Sequence, residues 1–218
     1  MAALPEVVPL SLAPEISLYA FDAAYRAAYG GRLAGVDEAG RGPLAGPVVA
    51  GAAILAPDDR FDWLDDSKRV TPRRRDRLFE EITARAIAWG IGVGSVAEIE
   101  EINILQASRR AMARAVAALG ESPEVVLVDA VTIPMALPQV GLVKGDQRSA
   151  SIAAASILAK VTRDRLMAEY AVRYPGYGFD RHKGYPTASH RQAVARLGPS
   201  PIHRKTFRGV REFVVAAD

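Results

Sequence analysis

Residues 35–55 read GVDEAGRGPLAGPVVAGAAIL, and the reading of this stretch decides the fold. Leu33, Ala34 and Val36 lead apolar into two adjacent carboxylates, Asp37 and Glu38. A Gly40-Arg41-Gly42 turn follows at once, and then a second apolar run, Val48 to Leu55. Two such runs about a glycine turn read as buried strands, 33–38 and 47–55, in an antiparallel hairpin. A dinucleotide loop competes for the same residues, since Gly40-x-Gly42-x-x-Ala45 satisfies G-x-G-x-x-G/A. That loop must open a helix at its second glycine. Here Pro43 and Pro47 bracket the turn and a strand pattern follows. A pyrophosphate would find no helix dipole, and the hairpin is preferred.

Carboxylates as close as Asp37 and Glu38 repel unless a cation lies between them, and oxygen ligands suit hard ions such as Mg²⁺ or Mn²⁺. The turn offers glycines for close backbone approach and a guanidinium for a phosphate. A metal site and a phosphate site within one segment point to metal-assisted phosphodiester chemistry. The plainer alternative is a solvated strand end before a hairpin turn.

Downstream, strands alternate with helices. Thr71 caps a helix with Pro72 at its first position, running to about Ala86. A third strand is expected over 87–96 and a helix over 97–119, with Leu105, Ala113 and Val116 on its apolar side. Val125 to Val128 is a continuous apolar run delivering Asp129 to the end of a buried strand. A short strand over 139–143 leads to Lys144-Gly145-Asp146. Ser149 or Ser151 then caps a long helix to about Tyr174, with a small-residue stripe of Ile152, Ala155, Ala159, Thr162 and Leu166. After a Gly/Pro/Tyr loop, Thr187 caps a helix to Leu197, and the Arg-rich tail from His203 to Phe213 is expected to form a last helix. Ahead of residue 30, three prolines break the chain and one short helix fits 16–29. The pattern is α/β with a central mixed sheet.

The 218 residues suffice for one full core. A net charge of +3 with a pI near 9.3 permits nucleic-acid binding without proving it. The chain has no cysteine, which excludes disulfides, zinc–thiolate sites and thiol catalysis. No apolar run reaches the about 18 residues of a membrane span, and the start lacks a signal-peptide pattern. A cytoplasmic protein without a membrane partner is expected.

Asp37, Glu38, Asp129 and Asp146 each stand at or just past the end of an apolar segment. Strand ends of an open α/β sheet converge on one edge, so these acids can meet there. Several carboxylates around two hard cations is the two-metal arrangement of phosphoryl chemistry. Neighbouring strand residues face opposite ways, so Asp37 and Glu38 can cooperate only where the strand twists or ends. Among basic groups, Lys68 suits a phosphate contact, whereas Arg73, Arg74, Arg75 and Arg77 read as a solvated helix face. Tyr185, held between Gly184 and Pro186, is open to two readings: packing, or stacking on a sugar. His182, His190 and His203 read as surface or structural, and Lys160 with Asp164 as a structural ion pair.

With these segments in place, the chain resembles type 2 ribonuclease H (the ribonuclease HII family) of bacterial type. The resemblance is carried by residues 35–55, DSK at 66–68, NIL at 103–105, VLVDA at 126–130, KGD at 144–146, SIAAASILAKVTRDR at 151–165 and HKGYPT at 182–187. It implies a ribonuclease H-like fold with a five-stranded mixed sheet flanked by helices. It implies a metal-dependent endonuclease of RNA/DNA hybrids that also cuts 5′ to single ribonucleotides in duplex DNA, leaving 3′-hydroxyl and 5′-phosphate ends. Asp37, Glu38, Asp129 and Asp146 would be catalytic and hold two Mg²⁺ or Mn²⁺ ions. Gly40, Arg41, Gly42, Lys68 and Tyr185 would bind substrate, and the chain would act as a monomer.

On this likeness, 1–30 is an N-terminal extension of open role and 31–218 the catalytic domain with a C-terminal helical part. Ala130 departs from the pattern, which more often has Gly there. Two alternatives stand beside this reading: a DNA-cutting resolvase or integrase of the same fold, and an inert hybrid-binding module.

Overall fold

The apolar run ahead of Asp37 is the middle strand of a five-stranded sheet. The structure, a computed structural model, describes residues 17–65, 67 and 69–214. In chain order the elements are α1 (Leu18–Tyr29), β1 (Leu33–Ala39), β2 (Val48–Ile54), α2 (Pro72–Arg85), β3 (Ala88–Gly94), α3 (Val96–Ala117), β4 (Val125–Asp129), β5 (Gln139–Leu142), α4 (Ala150–Arg173), α5 (Phe179–His182) and α6 (Ala188–Leu197). The sheet order is β3-β2-β1-β4-β5. β1, β2 and β3 form an antiparallel meander, while β1–β4 and β4–β5 are parallel. The hairpin is as expected, and the sheet is mixed.

Alternation along the strands sorts residues to the two faces. Ala34, Val36, Val48, Ala50, Ala52, Val126 and Val128 pack against α3 residues such as Ala111 and Met112. On the other face, Ala53 packs with α2 and α4, and Leu33 and Leu127 pack with α1 and Ile152. Both helices press very near to the sheet because glycines face them. A Cβ on Gly35 would lie 2.0 Å from the carbonyl carbon of Ser151, and one on Gly92 would lie 2.0 Å from the Ala111 carbonyl oxygen.

Ser149 caps α4, its hydroxyl accepting from Ile152 N–H at 3.2 Å. A second cap comes from α1. The buried Asp22 carboxylate accepts from Ser149 Oγ at 2.6 Å and from Ser151 N and Oγ at 2.8 and 2.7 Å. Thr71 precedes α2 as expected, but its side chain makes no capping bond.

Three expectations are corrected. Asn103 has φ 67°, which breaks α3 internally, and its Oδ1 restarts the helix by accepting from Gln106 N–H. The break shifts the helical phase, so Leu105 is exposed rather than on the apolar side. In α4 the buried stripe runs through Ala155, Ala159, Arg163 and Met167, while Thr162 and Leu166 are only partly covered. The tail over 203–213 is not a helix: it is a run of turns with one 3₁₀ turn at Arg211–Phe213. The reason is pairing. Ala45 bridges His203, and Arg204 N–H donates to the Leu44 carbonyl, so this backbone is used between segments.

Candidate active site

β1 and β4 run side by side with Val36 opposite Val128, so Asp37 and Asp129 come next on each strand. Residues at equal register on neighbouring strands share a face, here the one turned to α4. Asp37 is buried, and its Oδ1 accepts the Glu38 N–H at 2.6 Å. The Ser156 hydroxyl of α4 lies against Asp37 and donates to Ser67 Oγ at 2.8 Å. Burial, and then the charges of Glu38 and Asp129, push the Asp37 carboxyl well above the usual carboxylate range. The strand ends at Glu38–Ala39, and Gly40 at φ 103° turns the chain back. Arg41 Nη1 then reaches Glu38 Oε1 at 3.3 Å.

Asp129 Oδ1 accepts the Gly145 N–H at 2.7 Å. Directly after it, Ala130 adopts φ 60° and donates its N–H to the Leu142 carbonyl, which explains why a glycine would suit this position. Lys144 at φ 55° starts a single 3₁₀ turn, Gly145–Gln147, that carries the buried Asp146 beside the Asp129 loop. The structure thus draws Asp37, Glu38 and Asp129 into one electrostatic group with Asp146 at its border. Among the described residues no three acidic or histidine side chains already enclose a single point. The donor set nevertheless fits hard cations, for its members are carboxylates, and burial together with their crowding raises the pKa of Asp37.

The expected substrate side lies next to this group. Arg41 and Gly42 are exposed, and a Cβ on Gly42 would sit 3.9 Å from Tyr185 Cε1. Tyr185 is 41% exposed. The two loops are sewn together: Leu44 N–H donates to the Gly184 carbonyl at 2.8 Å, and a Cβ on Gly184 would meet the Ala45 oxygen at 2.6 Å. Lys68 lies outside the described residues.

Behind Tyr185 stands a histidine chain. Ser200 N–H donates to His203 Nδ1 at 2.9 Å, so that nitrogen is unprotonated and the neutral ring carries its proton on Nε2. Nε2 then donates to His190 Nε2 at 3.0 Å, which leaves His190 Nδ1–H to donate to the Tyr185 carbonyl at 2.9 Å. Both rings are fully buried, as a structural role requires. Burial, with His190 beside it, pulls the His203 pKa down to about 4, and burial lowers that of His190.

Lys160 donates to Asp164 at 2.7 Å, the expected ion pair. Arg75 departs from the solvated face, for its guanidinium donates to the carbonyls of Ser67 and Val70. Sequence reasoning also passed over Arg163 and Arg204, which are buried at 1% and 0% exposure against the turn. Arg163 had one readable signal, its place four residues after Ala159 on the α4 stripe. No signal marks Arg204, which lies in an irregular segment.

No helix among the described residues is long and apolar enough to cross a membrane. The ribonuclease HII family model matches residues 34–210. The ribonuclease HII of Geobacillus kaustophilus is 58% identical over 187 residues, covering 86% of this chain and 72% of that one. Among solved structures, ribonuclease H2 from Pyrococcus horikoshii superposes with a TM-score of 0.70 at 28% identity, covering 84% of this chain and 96% of that one. The RNase HII in the PCNA:RNase HII complex from Archaeoglobus fulgidus gives 0.68 at 26% identity, covering 81% and 95%. Family model, curated relatives and solved structures agree: the chain belongs to the ribonuclease HII family and is a ribonuclease H hydrolase.

Proposed function

We propose that this ribonuclease H is an endonuclease that hydrolyses the RNA strand of RNA/DNA hybrids and cuts 5′ to a single ribonucleotide embedded in duplex DNA. The products would carry 3′-hydroxyl and 5′-phosphate ends. One observation carries the reading: the Asp37–Asp129 pair stands a few residues from an exposed Gly42 that faces Tyr185, whose Cε1 lies 3.9 Å from where a Gly42 Cβ would be. A cleavage centre and a surface able to inspect a sugar are therefore adjacent.

Asp37, Glu38, Asp129 and Asp146 are the residues proposed to hold two Mg²⁺ or Mn²⁺ ions. When bound, such ions supply charge stabilisation for both the attacking and the departing oxygen. The chain's own contribution is placement. Ser156 and the Glu38 amide orient Asp37, and the Gly145 amide orients Asp129. Arg41 and Lys68 would neutralise phosphates. The Gly40-Arg41-Gly42 turn brings main chain against a 2′-hydroxyl, the group by which a protein tells RNA from DNA. Tyr185 covers the next sugar, where a deoxyribose packs better than a ribose.

The test is cleavage of matched duplexes: RNA/DNA hybrid, DNA with one ribonucleotide, all-DNA and all-RNA. Cutting of the first two alone is expected, with Tyr185→Ala slowing the single-ribonucleotide duplex far more than it lowers melting temperature. Equal cutting of the all-DNA duplex, or wild-type rates in Tyr185→Ala, would overturn the reading.

A further inference from the structure

We infer that Arg163 and Arg204 are positioning residues that set the preference for a ribonucleotide by fixing which way the Gly40-Arg41-Gly42 backbone faces. The inference rests on the proposed role of that turn.

Arg163 donates to the carbonyls of Pro47, Ala45 and Lys183, at 3.0, 3.1 and 3.0 Å. Arg204 donates to those of Gly40, Arg41 and Gly46. Every one of these bonds ends on main chain. Burial pulls Arg204 down to about 9, with the Arg163 charge adding to it, and burial lowers Arg163 as well. Two like charges are thus kept under a single turn at a cost that apolar residues of similar volume would avoid. Apolar residues would not hold three carbonyls each.

The carbonyl direction has a consequence for the exposed side. Among the described residues no peptide is cis, and in a trans unit C=O and N–H point opposite ways. Drawing the Gly40 and Arg41 carbonyls inward to Arg204 turns the Arg41 and Gly42 N–H groups outward. Successive outward N–H groups form a concavity for an electronegative atom. At these two peptides the turn therefore presents donors, and the substrate oxygen meeting them must accept. Arg163 adds the spacing. By holding Ala45, Pro47 and Lys183 together, one guanidinium sets how far Gly42 stands from Tyr185, two residues beyond Lys183.

Arg163→Lys and Arg204→Lys test this, since lysine keeps the charge and loses the planar fork. Ile82→Ala serves as control, opening a cavity in the cluster under α2 and α4, away from the turn. Equilibrium binding without divalent cations is measured on two duplexes, all-DNA and DNA with one ribonucleotide, alongside thermal melting. Both lysine variants are expected to lose about tenfold in preference for the ribonucleotide duplex, the scale of a hydrogen bond or two. Their affinity for all-DNA duplex falls far less than that for the ribonucleotide duplex, and Ile82→Ala keeps the wild-type preference. Lysine variants that melt lower yet retain the preference would overturn the inference and leave the role of the turn standing. Failure of both variants to fold would also overturn it, making the arginines parts of the core. A wild type with no preference would remove the role of the turn, and the inference with it.

Discussion

The main-chain N–H of Gly145 donates to Oδ1 of Asp129 at 2.7 Å, tying the loop after β5 to the last residue of β4. Asp129 therefore does two jobs: one oxygen orders the loop that carries Asp146, and the carboxylate charge serves the proposed centre. Asp129→Asn separates them, because an amide oxygen still accepts from Gly145. Turnover is expected to fall by about 10³ or more, the loss of several kcal/mol of transition-state stabilisation. Melting temperature and hybrid binding should stay close to wild type. Near-normal rates in saturating Mg²⁺ and Mn²⁺ would refute the assignment.

Asp37 gives a pH dependence. Its folded-state pKa is raised by burial, then by Glu38 and Asp129, so the native protein binds that proton more tightly than the unfolded chain does. The stabilisation is full below the unfolded value of 3.8 and is lost as pH rises through the folded one. Cation-free Asp37→Asn should thus melt higher than wild type near pH 8 by several degrees, with the gap closing at acid pH. Mn²⁺ should raise wild type more than the variant. Parallel melting curves at every pH would count against the crowded carboxylates.

Gly35→Ala places a Cβ 2.0 Å from the Ser151 carbonyl carbon, where main chain rather than a flexible side chain must give way. Overpacking of this kind costs about 3 kcal/mol or more. For a domain this size that is a fall of roughly 6–12 °C in calorimetry. A change of a degree or less would mean that α4 does not press on β1 as described.

Ala130→Gly should act in the other direction. Ala130 holds φ 60°, a region that costs an L-residue about 1–2 kcal/mol, while glycine loses about 0.5–1 kcal/mol to chain entropy. A gain of about 0.5–1 kcal/mol in denaturant unfolding is expected, with unchanged turnover. A lower midpoint would show that the Ala130 methyl packs usefully.

Hybrid affinity should fall steeply with salt. Arg41→Ala and Lys68→Ala should each reduce the log–log slope by about 0.9 if each neutralises one duplex phosphate. Slopes equal to wild type would remove that residue from the phosphate-tracking surface.

Much of the sheet was legible because its strands are short apolar runs closed by distinctive residues. Val125 to Asp129 and the hairpin about Gly40 are of this kind. The pairing of β1 with β4 was not, since about ninety residues separate them and register is settled by α3 and α4 packing. The strand-end places of Asp37, Glu38 and Asp129 were readable from the apolar runs before them. Arg163 and Arg204 were not, because a charged residue in a helical or loop pattern is normally assigned to water, and their partners are carbonyls that carry no sequence signature. The expected stripe took in Thr162 and Leu166, where the buried side chains are Arg163 and Met167. The tail was misjudged on composition: its arginines suit a helix, yet its backbone is committed to residues 44–46.

The Asp22 contacts draw a border different from the one drawn by likeness. The family match begins at residue 34, whereas Asp22 holds both serines at the head of α4, and Phe21 and Tyr25 cover Leu33 and Val125. A cut made at the family border would strip a seam of apolar side chains and leave the first turn of α4 to fray. Amide exchange would then spread along that helix from Ser151 toward Ser156, the hydroxyl that lies on Asp37. The segment ahead of the family match is in this way a member of the cooperative unit that holds α4 and, through Ser156, the Asp37 carboxyl in place.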